Sequence, residues 1–310
     1  MKKIQNNSTR ITQKLKVSYP LIMAPMFLVS NIDMVKSAID NEIIGLIPSL
    51  NYLNSTELDS DIQYLNRYKQ NKKGTFGINL IIKNNPKYEE HLEIIVKHKT
   101  PLVITSLGNP TEVIEKVHAY GGLVFCDVTN IKHAQKAQKA DGFVAVGQGA
   151  GGHAGRISLQ VLIPALRESF PDKIIIGAGG VANAKSFESI IALGADGASA
   201  GTVFISSKES KVSPQYKKAI FDANAENIVS TNILSGTPVT VIKTDYLDTI
   251  EKQLQSKQLD LNQGVKILRQ AGIDADYRKI FVAGQAVQFI HKELKVSEII
   301  KNILGEVKNV

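Results

Sequence analysis

The sequence has no tryptophan and a single cysteine, Cys126. One thiol cannot build a disulfide framework or a cysteine-based zinc site. HExxH and Walker-lysine patterns are missing, and no metal is expected. Apolar runs are short and punctuated by glycine, which excludes a membrane-spanning segment. The opening Met1-Lys2-Lys3-Ile4-Gln5-Asn6-Asn7 lacks the apolar stretch of a signal peptide, so a cytoplasmic location is expected. Basic residues outnumber acidic ones, giving a formal charge of +8, but they are scattered and not interleaved with aromatics. That pattern describes solvated helix faces rather than a nucleic-acid surface.

What is present points to a folded chain. Of the 310 residues, 43% are hydrophobic, too many for a disordered chain and enough for one large domain with an appendage. Short β-branched runs alternate with amphipathic stretches through the first two-thirds. Strands are expected at Leu21–Met26, Ile44–Leu50, Thr75–Ile82, Pro101–Leu107, Gly122–Thr129, Gly142–Gly147, Lys173–Ala178 and Gly197–Phe204. Their apolar runs are nearly continuous, as in strands covered on both sides. Helices are expected over Ile32–Asn41, Thr56–Lys72 (opened by Ser55), Pro86–Lys99 and from Asn109-Pro110 onward, with Asn31, Asn130, Ser158 and Asn183 as N-caps. Eight βα units are the number that closes a (β/α)8 TIM barrel, an α/β fold. The expected divisions are a barrel over 1–207, a helical lid over 208–279 and a C-terminal segment over 280–310. Within the lid only Val239–Ile242 reads as a strand, and Ala219–Asn224, Tyr246–Gln258 and Gly264–Gln270 read as helices. The last helix is expected over Val296–Val307.

Barrel active sites form at the carboxyl ends of the strands. After strand seven comes Gly177-Ala178-Gly179-Gly180-Val181-Ala182-Asn183, and strand eight ends Ala200-Gly201-Thr202. Glycines there let a phosphate approach backbone N–H groups at a helix start. After strand six comes Gly147-Gln148-Gly149-Ala150-Gly151-Gly152-His153-Ala154-Gly155-Arg156, in which five glycines surround one histidine. His153 is the candidate acid–base group. The other histidines (His91, His98, His118, His133 and His291) read as helical surface residues. Cys126 reads as a buried hydrophobe rather than a nucleophile. Asn79 in strand three and Asp127 in strand five interrupt apolar runs, and each either faces the pocket or satisfies a loop.

Several segments together carry a resemblance. They are Tyr19-Pro20-Leu21-Ile22-Met23-Ala24-Pro25-Met26, Phe76-Gly77-Ile78-Asn79-Leu80, Ile104-Thr105-Ser106-Leu107-Gly108, Gly151-Gly152-His153-Ala154-Gly155, Ala178-Gly179-Gly180, Gly194-Ala195-Asp196 with Gly201-Thr202-Val203-Phe204, and Ala283-Gly284-Gln285. In this order they resemble the nitronate monooxygenase family, related to the FMN-dependent enoyl-ACP reductases. The resemblance implies FMN as cofactor. It places Ala24, Pro25 and Met26 against the isoalloxazine ring and Asn79 in a hydrogen bond to the flavin. It gives the FMN phosphate to Gly179, Gly180, Gly201 and Thr202, with Asp127, Gln148, Gly151, Gly152, Ala178 and Gln285 also around the cofactor. His153 becomes the active-site histidine. The implied reaction oxidises an alkyl nitronate, or a nitroalkane, with dioxygen to a carbonyl compound and nitrite. An enoyl-ACP reductase using NAD(P)H is the alternative, and a homodimer is one expected assembly. Relatives often carry an acidic residue where this chain has Gly149, which bears on the histidine's surroundings.

Overall fold

The computed structural model describes residues 8–83, 85–232, 238–256 and 280–306. Eight parallel strands close a barrel in the order β1 to β8. They are β1 (Leu21–Met23), β2 (Ile44–Pro48), β3 (Thr75–Ile81), β4 (Leu102–Ser106), β5 (Leu123–Val128), β6 (Gly142–Val146), β7 (Ile174–Ala178) and β8 (Gly197–Ala200). β1 pairs with both β2 and β8, so no edge is left open. All eight were expected, each ending within a few residues of its expected bounds. The largest difference is at β8, where the apolar run past Ala200 turns at Gly201 into a helical turn over Thr202–Ile205.

The continuous apolar runs serve two cores at once. Side chains alternate across a strand. Ile22, Leu46, Ile104, Phe125, Val144 and Ile176 point into the barrel, where Ile11 and Val17 from the N-terminal segment join them. Met23, Ile78, Val103, Cys126, Phe143 and Ile175 point outward, under the helices. The same alternation turns Asn79, Ser106, Asp127, Val146 and Ala178 inward at the carboxyl ends of β3 to β7.

The helix α1 (Arg10–Leu15) packs on the inner core through Ile11, and the outer helices are α2 (Ile32–Asp40), α3 (Ser55–Tyr68), α4 (Tyr88–Lys97), α5 (Thr111–His118), α6 (Ile131–Lys136), α7 (Leu159–Ser169) and α8 (Ala184–Ala192). Asn31, Asn130 and Asn183 cap their helices through side-chain oxygens, as expected. Ser158 occupies its cap position without a side-chain bond. The cap of α3 is Asn54 rather than Ser55, because Asn54 Oδ1 accepts from Thr56 N at 2.9 Å.

The amino-terminal face carries a repeated clasp. Asp141 Oδ2 accepts the Val124 N–H at 2.8 Å, and Asp196 Oδ2 accepts that of Ile175 at 2.9 Å. His118 Nε2 lies 2.8 Å from Asp141, and Arg167 Nη2 lies 2.6 Å from Asp196. Each aspartate thereby ties the start of one strand to the start of the next.

His91 is not a surface residue. It lies on α4 in the i, i+1, i+4 stripe with Leu92 and Ile95 and is 0% exposed. Neither ring nitrogen has a hydrogen-bond partner among the described residues. Burial holds its pKa below 6.5, with the nearby Lys87 adding to the effect. The folded state therefore prefers the neutral ring, and stability falls as pH drops below 6.5, where the unfolded chain takes up the proton first. His91→Leu removes an unsatisfied polar group and should stabilise the protein by about 1–2 kcal/mol at neutral pH. Urea unfolding at pH 7.5 and pH 5.5 checks both statements. The variant should gain more at the lower pH.

After β8 come α9 (Thr202–Ile205) and α10 (Pro214–Asp222), then β9 (Ile228–Thr231), β10 (Val239–Ile242), α11 (Asp245–Gln255) and, at the end, α12 (Val296–Ile303). β9 and β10 form an antiparallel pair. β10 was expected and β9 was not, because Ile228-Val229-Ser230-Thr231 is short and half-exposed. The expected helix at Gly264–Gln270 lies outside the described residues. Among those residues no helix is long and apolar enough to cross a membrane.

Candidate active site

The inward alternation of β3, β4 and β5 places three polar side chains in one row at the barrel mouth. Asn79 Nδ2 donates to Ile104 O at 3.1 Å and to Ser106 Oγ at 2.8 Å. Ser106 Oγ donates in turn to Asp127 Oδ2 at 2.5 Å. Burial pushes the Asp127 carboxyl up to about 6, and the Ser106 hydroxyl partly offsets that by stabilising the anion. Both polar interruptions of the apolar runs therefore turn inward at the barrel mouth. Ser106 was not singled out, although it carries the same signal, a polar residue closing the run Leu102-Val103-Ile104-Thr105. Cys126 faces the other way, under the helices. Burial pushes its thiol up to about 11, so it takes no part in the mouth.

The turn after β1 carries Ala24, Pro25 and Met26. Ala24 N donates to Ala200 O at 2.8 Å, and Met26 N donates to Ser30 Oγ at 2.9 Å. Asn51 braces the same turn: its Oδ1 accepts from Leu28 N at 2.7 Å and its Nδ2 donates to Ser30 O at 2.9 Å. That brace holds Leu28 at a φ of 58°, a left-handed conformation that leucine rarely adopts. A Cβ on Gly201 would stand 3.4 Å from the Ala24 Cβ, so the β1 and β8 ends are close neighbours.

Gly179 and Gly180 follow β7 with φ values of 134° and 71°. A Cβ on Gly180 would meet nothing within 4 Å. No acceptor for its N–H is found among the described residues. The amide thus borders open space just before α8. The Thr202 hydroxyl accepts from Gly284 N at 3.0 Å, which leaves its own hydrogen to donate.

The loop after β6 is fixed from outside. Gln285 N donates to Gly149 O at 3.0 Å. A Cβ on Gly284 would stand 2.6 Å from both Gly149 O and Gly151 N, so only glycine fits there. Thr240, on β10, donates through N to Gly152 O at 2.8 Å and through Oγ1 to Ala150 O at 2.6 Å. Gly152 has a φ of 74°. His153 follows it, with its side chain reaching solvent, and desolvation by the surrounding atoms pulls its pKa below 6.5. Gln148 and Gln285 are also exposed at this rim. A Cβ on Gly149 would stand 3.2 Å from Gln285 Oε1, so the amide of Gln285 lies beside the loop at that position. Thr240 was not foreseen. No sequence pattern connects it to a loop some ninety residues earlier.

A family model described as nitronate monooxygenase matches residues 28–306. The chain belongs to the nitronate monooxygenase family. It is accordingly an oxidoreductase of the nitronate monooxygenase type, in a family that uses a flavin. A Staphylococcus aureus protein named "Probable nitronate monooxygenase" is 25% identical over 295 residues, covering 79% of this chain and 81% of its own length. A Mycobacterium tuberculosis protein carrying a monooxygenase name is 26% identical over 236 residues, and the match spans 62% of its length. Among solved structures, FabK from Thermotoga maritima superposes with a TM-score of 0.86 at 28% identity, covering 96% of this chain and 95% of that one. Nitroalkane oxidase from Streptomyces ansochromogenes has the same fold, with a TM-score of 0.81 at 20% identity over 95% and 97% of the two chains.

Proposed function

We propose that this nitronate monooxygenase family member binds FMN at the carboxyl end of its barrel and oxidises alkyl nitronates with dioxygen, yielding a carbonyl compound and nitrite. The observation that carries the reading is the convergence of the β6, β7 and β8 loops. One brings a histidine, one an amide before a helix with no acceptor among the described residues, and one a hydroxyl with a hydrogen to donate. These residues fit a phosphate-bearing flavin. Gly179, Gly180, Gly201 and Thr202 would hold the phosphate, with the positive end of α8 behind it. The backbone of Ala24, Pro25 and Met26 would support the ring, and Asn79 would meet its polar edge. Asp127, Gln148, Gly151, Gly152, Ala178 and Gln285 would line the remainder.

FMN when bound supplies electron acceptance and reactivity with dioxygen. The chain's own groups do the rest. The imidazole of His153 takes the Cα proton from a neutral nitroalkane, or donates a hydrogen bond to a nitro oxygen once the substrate is anionic. With a pKa below 6.5 it is neutral, and so available as a base, at physiological pH. Asn79 donates to Ser106 and Ser106 to the Asp127 carboxyl, which holds the three side chains as a single polar row at the barrel mouth where the flavin would bind.

Anaerobic mixing of the purified holoprotein with propionate-3-nitronate, ethylnitronate, NADH or NADPH tests the reading. Rapid loss of flavin colour with a nitronate is the expected result. Bleaching by NADH or NADPH alone, followed by turnover of an enoyl thioester, would overturn it in favour of the reductase.

A further inference from the structure

We propose that Thr240 is a positioning residue for His153, and that β10 serves as the clamp that shapes the glycine loop. The proposal rests on the reading of His153 as the active-site histidine.

The loop over 147–156 contains five glycines and cannot choose one conformation by itself. Three of its carbonyls are nevertheless engaged by groups distant in sequence. Gly149 O accepts from Gln285 N, Ala150 O from the Thr240 hydroxyl, and Gly152 O from the Thr240 N–H. The hydroxyl also lies 3.2 Å from Gly152 O. One residue therefore fixes both carbonyls that flank Gly151, just before His153. Thr240 is only 8% exposed, so water does not compete for these bonds.

The clamp itself is held in place. Thr240 pairs with Ser230 on β9 along one edge. On its other side Val241 bridges Val282, and Ile242 N donates to Phe281 O at 2.8 Å. Behind it Val239, Val241, Leu247 and Ile250 form a small apolar core of their own. β10 thus runs between β9 and two strips of chain, one carrying His153 and the other leading into Gly284 and Gln285. A strand that lies against the reactive loop and also has a separate core can carry a change in the insert to the histidine.

Thr240→Val keeps the shape and the main-chain bond but removes the hydroxyl, and Thr240→Ser restores it. Two readouts follow. In hydrogen exchange on the intact protein, the peptide over 148–156 should exchange at least about tenfold faster in the Val variant, with β1 to β5 peptides unchanged and the Ser variant like wild type. With nitroethane, whose Cα proton His153 would remove, kcat should fall about tenfold or more in the Val variant while KM and flavin content move less than about threefold, since misplacing a reacting group costs rate before affinity. Wild-type exchange and wild-type kcat in the Val variant would overturn the proposal. So would faster exchange across the barrel strands that Ser does not rescue. Absence of nitronate turnover in the wild type would count against the proposed activity alone, because the exchange measurement still tests the clamp.

Discussion

Replacing His153 with alanine should lower kcat/KM for a neutral nitroalkane by about 10²- to 10⁴-fold, the usual contribution of a positioned general base. The preformed nitronate has no Cα proton to lose, so its oxidation should fall by less, about tenfold. The pH profile sharpens the test. The base must be neutral to act, and its pKa lies below 6.5. The wild-type rate on the neutral substrate should therefore rise with pH through a value under 6.5 and level off above it. In the alanine variant that limb should vanish. Oxygen uptake with nitroethane and with ethylnitronate across this range provides the measurement. Equal losses on both substrates would assign His153 to substrate binding rather than proton abstraction.

The second large effect concerns Gly180. The side chain of a Gly180→Val variant would meet no protein atom near its Cβ, so the barrel itself should survive. The cost to the apoprotein is the strain of a non-glycine residue at a φ of 71°, about 1–3 kcal/mol. The open space it would fill is where the FMN phosphate is proposed to sit. Losing a charge-assisted bond there, with steric exclusion added, should weaken FMN binding by about 3 kcal/mol, or roughly two orders of magnitude. Flavin fluorescence titration of the apoprotein reads the affinity, and thermal unfolding without flavin reads the strain. Unchanged affinity would move the phosphate elsewhere.

Much of this architecture is legible in the residues because the strands advertise themselves. Both faces of each barrel strand are buried, so runs such as Lys173-Ile174-Ile175-Ile176 have no alternation to misread, and polar residues within them stand out. Asn79 and Asp127 were visible for that reason, and the glycine loops were visible by composition. Three things were not legible. His91 shares a helical stripe with Leu92 and Ile95, but its polar type suggested solvent. β9 has too little apolar character to separate from a loop. Thr240 depends on a contact between segments about ninety residues apart, and a single threonine in Val239–Ile242 carries no sign of it. Local chemistry is written locally, whereas the fixing of a flexible loop depends on whatever the fold brings beside it.

The carbonyls of the glycine loop are satisfied by Thr240 and Gln285, both beyond the last barrel strand, and Gly284 packs between them. Synthesis runs from the amino terminus, and eight strands are complete by Ala200. All eight strands are therefore synthesised while the histidine loop is still without its external bonds. The loop that carries His153 gains these bonds only after residue 285 has cleared the ribosome, later than every strand of the barrel that presents it.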